Sequence, residues 1–337
     1  MRKSFLFLLA LLLLSNGCRD DDATTAPAWF EQYPVVPVFN SDLSPCMVCS
    51  LGCNDTNEQD RYDYEYPVFN PNNGEEFAYL RRDNHEPGFR SEVWIMNGRT
   101  GETRMIADQA LSYLDWSPYD ELLFMGLDRH VYKIKSNGDS LHQITFEGDW
   151  NRVPYWNYNG DFFTVSQQTG SNYISVEYNR YGELMDTIED RRITSHPRGT
   201  NIHNQFPTIV FDSEVFSIGY FDRNTGETTL IHNEEIEYGT DHRYFSWGKT
   251  WKDAETVLWA TRNYLGTTNI ITGEHRIILD TPQSHQNFHL GVHPDGTHAL
   301  VHTITQELIS TCALDRQYGL HLVDLETGEL RHITPPE

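Results

Sequence analysis

Five of the fifteen histidines, His196, His203, His242, His285 and His289, fall in polar segments between apolar runs. Asp149, Arg152, Asp241 and Arg243 lie in segments of the same kind. Imidazoles converging with a carboxylate can hold a divalent metal or move protons near neutral pH. In a purely structural role the same rings cap loops or hydrogen-bond neighbouring strands. The chain has no Gly-x-Ser-x-Gly elbow, no phosphate-binding glycine loop and no His-Glu-x-x-His pair, so the nucleophile, nucleotide and helical zinc chemistries those motifs support have no footing here.

The charge narrows the partners. Lys and Arg total 25 against 49 Asp and Glu, a formal charge of −24 over 337 residues. A nucleic-acid binder needs a cationic face to displace counterions, so no nucleic acid is expected. An acidic surface is also unsuited to lying on anionic lipid. With 18 Tyr, 17 Phe and 8 Trp, there is enough large apolar surface for a packed core.

The elements that would position these residues show in a repeat. A glycine turn, in most copies followed by an acidic residue, leads into a short run ending in Ile at Gly101, Gly138, Gly182, Gly226, Gly273 and Gly328, about 45 residues apart. Upstream of each lies an apolar strand, a turn and a second apolar strand, beginning near Tyr66, Leu114, Val153, Phe206, Tyr244 and Leu290. Between the two patterns runs a third strand, such as Glu92–Asn97. Glycine suits a tight hairpin because one residue there needs positive φ. Six units of four short strands predict an all-β, six-bladed β-propeller over residues 61–337. The 3.6-residue apolar period of a helical solenoid is absent.

The unit resembles the WD40-like repeat of TolB-type propellers. His293-Pro294-Asp295-Gly296 with Thr327-Gly328-Glu329 and Ile333-Thr334 carries the likeness most fully, and Trp116-Ser117-Pro118 with Ile144-Thr145 matches in the second unit. The fourth and fifth units depart at Phe211-Asp212-Ser213 and Lys252-Asp253. The resemblance implies a propeller and, by analogy, a binding or scaffolding part in the cell envelope. Oligogalacturonate lyases are similar repeat propellers whose histidines coordinate a metal. That likeness implies an alternative, a metal-dependent carbohydrate-active enzyme, with His242, His285 and His289 as ligands beside Asp241.

The first residues carry an address. Met1-Arg2-Lys3-Ser4 precedes an unbroken apolar run from Phe5 to Leu14, the form of a secretory signal and too short to cross a bilayer. Residues 1–17 resemble a bacterial lipoprotein signal, which implies lipidation of Cys18. The acidic run Asp20-Asp21-Asp22 resembles the export signal of Bacteroidetes-type lipoproteins. An outer-membrane lipoprotein follows, on the periplasmic or the cell-surface side. Residues 18–60 then serve as a lipidated tether and Cys-containing segment; the stretch to Pro45 holds Pro27, Pro34 and Pro37 and reads as a spacer. With Cys18 acylated, Cys46, Cys49, Cys53 and Cys312 remain. An even number in an exported chain implies disulfides, while a four-thiolate metal site is the alternative.

In such a blade the first and third turns fall on one face, and the loops between second and third strands and between blades fall on the other. The glycine turns, with Glu102, Asp139, Glu183, Glu227, Glu274 and Glu329, are expected as a solvated surface. His196, His203, His242, His285 and His289 are expected together on the opposite rim with Asp149, Arg152, Asp241 and Arg243, His242 and His289 occupying equivalent places on neighbouring inner strands. That rim is the expected docking face for an envelope protein or a glycan. A monomer without a cofactor is expected, with a divalent metal under the alternative reading.

Overall fold

A computed structural model describes residues 28–36, 62–85, 88, 90–170, 172–188, 199–212, 215–232, 248–260, 264–280, 285–310, 313–333 and 335; for 28, 169, 172, 210–212, 215–216, 232, 285–288, 303–310 and 313–318 it describes the backbone alone. Apart from a 3-10 turn at Ala28–Gln32, every regular element among these residues is a strand. The strands form five antiparallel sheets. The first contains β1 (Tyr62–Phe69), β2 (Glu76–Asp83), β3 (Ser91–Asn97), β4 (Thr103–Trp116), β5 (Glu121–Gly126), β6 (Val131–Lys135) and β7 (His142–Gln143), in that order. The second holds β8 (Trp150–Trp156), β9 (Phe162–Thr169), β10 (Asn172–Asn179) and β11 (Leu184–Ile188), and the third β12 (Gln205–Asp212), β13 (Val215–Asp222) and β14 (Glu227–His232). The fourth holds β15 (Lys249–Trp251), β16 (Thr256–Ala260), β17 (Tyr264–Asn269) and β18 (His275–Asp280). The fifth holds β19 (His285–Val292), β20 (His298–Ser310), β21 (Ala313–Asp324) and β22 (Leu330–Ile333).

The sheets are arranged as a β-propeller. Five sheets stand where six separate ones were expected, because β4 is continuous. It pairs with β3 through Thr103–Ala110 and with β5 through Ala110–Trp116. The two halves of this sheet nonetheless fold face to face, with Ala78, Leu80, Val93 and Ile95 packed on Trp116, Leu122, Phe124 and Ile134. Further apolar seams join each sheet to the next, and Leu300, Leu320 and Leu322 of the last sheet meet Phe69, Phe77 and Tyr79 of the first. Second strands such as β2 therefore bury residues on both faces, as Phe77–Leu80 does, which requires neighbours on both sides.

The repeat is local chemistry made visible. Six times, a backbone N–H just after the third strand of a unit bonds back to the unit's first turn: Gly98 to Glu75, Ser136 to Asp120, Arg180 to Asp161, Arg223 to Asn204, Ile270 to Glu255 and Leu325 to Thr297. In most copies an Asn or Asp opens the hairpin. The side-chain oxygens of Asn97, Asn179, Asp222, Asn269 and Asp324 accept from backbone N–H groups two residues on, the Asx-turn habit. The glycines that follow, Gly101 to Gly328, all have φ between 74° and 88°.

Two expectations about phase are corrected here. In the fourth unit the first turn is Asn201-Ile202-His203-Asn204, since Asn201 N–H bonds to Gln205 C=O as Asn157 bonds to Phe162 and His293 to His298. β12 is thus the second strand of its unit, where the sequence suggested the first; residues 191–198 lie outside those described. In the fifth unit Lys252 takes the place of His293, its N–H bonding to Thr256 C=O. Counting back four residues makes Gly248, not His242, the equivalent of His289.

The segment read as a spacer also differs. Trp29 and Phe30 are only 3% and 2% exposed and pack into the seam between the last and first sheets. Val35 bridges to Arg331 of β22.

Candidate functional site

Four of the inner strands share a kink. Tyr66, Tyr113 and Val153 have φ of 53°, 57° and 58° and each sits where the strand's register slips against its partner. β19 slips at the matching place, between Asn287 and Leu290. Left-handed backbone at bulky residues is costly and marks a β-bulge that bends the strand. The kinks turn side chains towards one another: Tyr66 stacks on His289 with centroids 3.6 Å apart and meets Tyr113 edge-on at 5.0 Å.

Beside them lies a charged cluster. His289 lies parallel to His302, centroids 5.8 Å apart. His302 Nε2 is 3.3 Å from Asp63 Oδ1. Arg82 reaches Asp63 Oδ2 at 2.6 Å and Glu65 Oε1 at 3.5 Å. Burial works to raise the pKa of Asp63, but the hydrogen bond and charge of His302 and the charge of Arg82 outweigh it and hold it below the usual carboxylate range. Glu65 goes the other way, pushed up by burial and then by the negative charge of Asp63. Two carboxyls on one strand thus have opposite tendencies, an arrangement that favours one ionised and one protonated group.

Of the expected rim, the described residues place only His203 on the other face. His289 is half-buried at the bulge, stacked on Tyr66. His203 belongs to a first turn and so sits on the glycine-turn face, away from His289; its backbone N–H bonds to Asn201 Oδ1. Asp149 is exposed and accepts from Gly170 N–H. The Arg152 guanidinium lies 4.4 Å over the Tyr173 ring and 5.6 Å from Trp150. His285 is described in its backbone alone, and His196, Asp241, His242, Arg243 and all five cysteines, Cys18, Cys46, Cys49, Cys53 and Cys312, lie outside the described residues. Among the described residues no three His, Cys, Asp or Glu side chains gather as a metal site. Asp63, Glu65, Arg82 and His302 escaped sequence reasoning.

The opposite mouth is built from the first turns, which touch their neighbours at five of six junctions and leave a cleft at the sixth. Asn72 Nδ2 donates to Pro118 C=O, Tyr119 Oη to Asp161 Oδ1, and Asn201 Nδ2 to Ala254 C=O. Gly296 lies against Lys252 C=O, and Gly74 lies so close to His293 that a Cβ would sit 2.2 Å from the imidazole. The third and fourth turns flank a cleft of about 390 Å³, where Tyr158 and Ile202 face Trp251, Lys252, Asp253 and Asp295. This face is not the plain solvated surface expected. Tyr158 is 62% exposed, Tyr181 75%, Ile202 50% and Tyr119 46%. The Arg180 guanidinium lies 3.7 Å over Tyr119 and 5.7 Å from the Tyr181 ring.

Beneath this face two buried ion pairs fix the turns. Arg223 forks onto the fully buried Glu177 with three hydrogen bonds of 2.5–2.9 Å. That contact holds the Arg223 pKa up. Lys133 Nζ lies 3.2 Å from Glu121 and donates to Arg180 C=O at 2.5 Å. A circuit of sheets with bulged inner strands defines a β-propeller, and comparison with solved structures agrees. The chain is similar to a putative TolB from Agrobacterium tumefaciens (16% identity, TM-score 0.54, covering 73% of this chain and 88% of that one). It is also similar to TolB from Acinetobacter baumannii (13%, 0.54, covering 87% and 68%) and to the β-propeller domain of the Trilobed protease from Pyrococcus furiosus (14%, 0.50, covering 83% and 85%). At these identities the likeness is one of fold. No family model matches the sequence, and no curated protein is similar to it.

Proposed function

We propose that this protein is a six-bladed propeller that binds a protein partner of the cell envelope, held at the outer membrane by a lipid on Cys18. The six-blade reading takes β4 as the outer strand of one blade and the inner strand of the next. The observation that carries the binding role is the exposed cluster Tyr119, Tyr158, Tyr181 and Ile202 with Arg180 on rigid turns, of which Tyr158 and Ile202 line a cleft. Tyrosine and arginine dominate the energetic centres of protein interfaces. Rigid display on clamped turns lowers the entropy lost on docking. The partner therefore docks on the glycine-turn face, a shift from the histidine rim. The fold alone does not separate binder from enzyme; this surface favours the binder.

The test is photo-crosslinking in intact cells. A photoreactive residue at Tyr158 captures one defined protein, while the same residue at Phe146, exposed in the loop between β7 and β8, captures none. Equal capture from both places, or from Phe146 alone, contradicts the assignment. Loss of membrane association in Cys18→Ser tests the anchor separately.

A further inference from the structure

We propose that residues 28–36 are a clasp that holds the ring shut at the seam between its last and first sheets, and that His298, buried beneath it, makes the clasp open in mild acid.

The clasp is fastened at three places. Trp29 fills the space over Gly98, where a Cβ would stand 2.4 Å from the indole. The Gly98 carbonyl accepts from Tyr33 Oη at 3.0 Å and from the Gln32 amide. Trp29 also meets Phe30 and Tyr33 edge-on. On the other sheet, Val36 N–H bonds to Leu330 C=O at 2.8 Å and His332 N–H to Pro34 C=O at 3.1 Å, so the segment extends the outer edge of β22. Arg331 locks the two regions by donating to the carbonyls of Tyr33 and Glu31 at 2.9 and 3.2 Å. One short segment thus bonds to the first sheet and to the last, adding to the side-chain packing and the His302–Asp63 pair that also cross this seam.

Phe30 is the pin. Its ring covers His298 at 4.3 Å and stands edge-on to His293 at 5.4 Å. Both imidazoles are nearly buried, at 5% and 6% exposure. His293 pairs with Asp295 at 2.6 Å, and His298 Nε2 lies 3.8 Å from Asp324. The charged or titratable groups facing His298 are Asp324 and Asp295, which favour its cation, and His293 and Arg331, which oppose it. Burial, the largest influence, pulls its pKa below the ordinary imidazole range. The sign follows. Docking favours neutral His298, so its contribution is complete above the ordinary imidazole pKa and declines as pH falls below it. Opening would uncover the edge of β22, a row of backbone donors and acceptors suited to an added strand.

Hydrogen exchange of the full chain tests this. At pH 7.5 the peptide spanning 28–36 is protected. At pH 5.5, after correction for intrinsic rates, its protection falls, by at most about tenfold, while that of β5 and β6 is unchanged. His298→Gln keeps the protection at pH 7.5 and abolishes the fall, and His298→Asn serves should the glutamine variant fail to fold. Phe30→Leu, which keeps an apolar pin, stays docked at pH 7.5. An unprotected segment at pH 7.5, an identical protection at both pH values, or an acid response that persists in the folded His298 variant overturns the proposal.

Discussion

The two mouths of the pore differ in how they are made. At one, six copies of the same hydrogen-bonded turn pair recur, five of their junctions in direct contact and the sixth opening as a cleft, and each copy adds its own tip. At the other, the bulged ends of the inner strands gather residues that occur once: Asp63, Glu65, Arg82, His289 and His302. Repetition supplies a stiff frame whose tips are free to vary. The singular cluster holds buried charge, and buried charge demands partners. The first mouth is therefore suited to display, the second to joining the first and last sheets. Variants at the first should separate binding from stability, whereas variants at the second should change stability and its pH dependence.

The largest effect is expected where the display frame rests on buried charge. Arg223→Met leaves the Glu177 carboxylate buried without its fork. It should lower stability by about 3–5 kcal/mol, measured by urea titration. A loss below about 1 kcal/mol would mean the turn frame does not depend on that pair. Next is Gly74→Ala. The residue has φ of 63° and a Cβ there meets His293, so a loss of about 1–3 kcal/mol is expected. The same substitution at Gly101, also at positive φ but with open space around it, should cost less. Equal losses would remove the close approach as the cause.

The smallest effect should sharpen the contrast at the charged mouth. The raised pKa of Glu65 favours its protonated form in the folded state. Its contribution is present below the unfolded carboxyl range and declines as pH rises through the raised value. Asp63, lowered, contributes above the unfolded range and loses that as pH falls through its lowered value. Glu65→Gln keeps a neutral hydrogen-bonding group. It should raise the melting temperature at pH 7 by less than about 1 kcal/mol's worth and flatten the pH profile above the carboxyl range. Asp63→Asn should do the reverse and destabilise at pH 7. Matching responses from the two variants would contradict the opposed ionisation.

What the sequence made legible follows the same division. The glycines of the third turn recur because each hairpin needs left-handed backbone at that point, so the all-β repeat architecture was readable. The phase of the fourth unit was not. There Asn204, at φ 59°, does the work that glycine does in Pro-Asp-Gly, and asparagine tolerates that conformation. The apolar run at Phe206 then passed for a first strand. In the fifth unit the first turn begins at Lys252, without Pro-Asp-Gly to mark it, so the register linking His242 to His289 was misjudged. Asp63 and His302 meet only because the ring brings its first and last sheets together, which no local spacing could announce. The exposed tyrosines were visible as Pro118-Tyr119 and Asn157-Tyr158-Asn159, but the acidic residues after the glycines drew attention to solvation.

The central claim is that the glycine-turn face binds the partner. With the protein captured from Tyr158 in hand, its affinity should be measured for the wild type and for a Tyr119→Ser, Tyr158→Ser variant with an unchanged melting temperature. The account predicts a loss of about 2 kcal/mol or more in binding free energy and no change for Phe146→Ser on the opposite face. An undiminished affinity in the folded tyrosine variant, or a loss confined to Phe146→Ser, would contradict it.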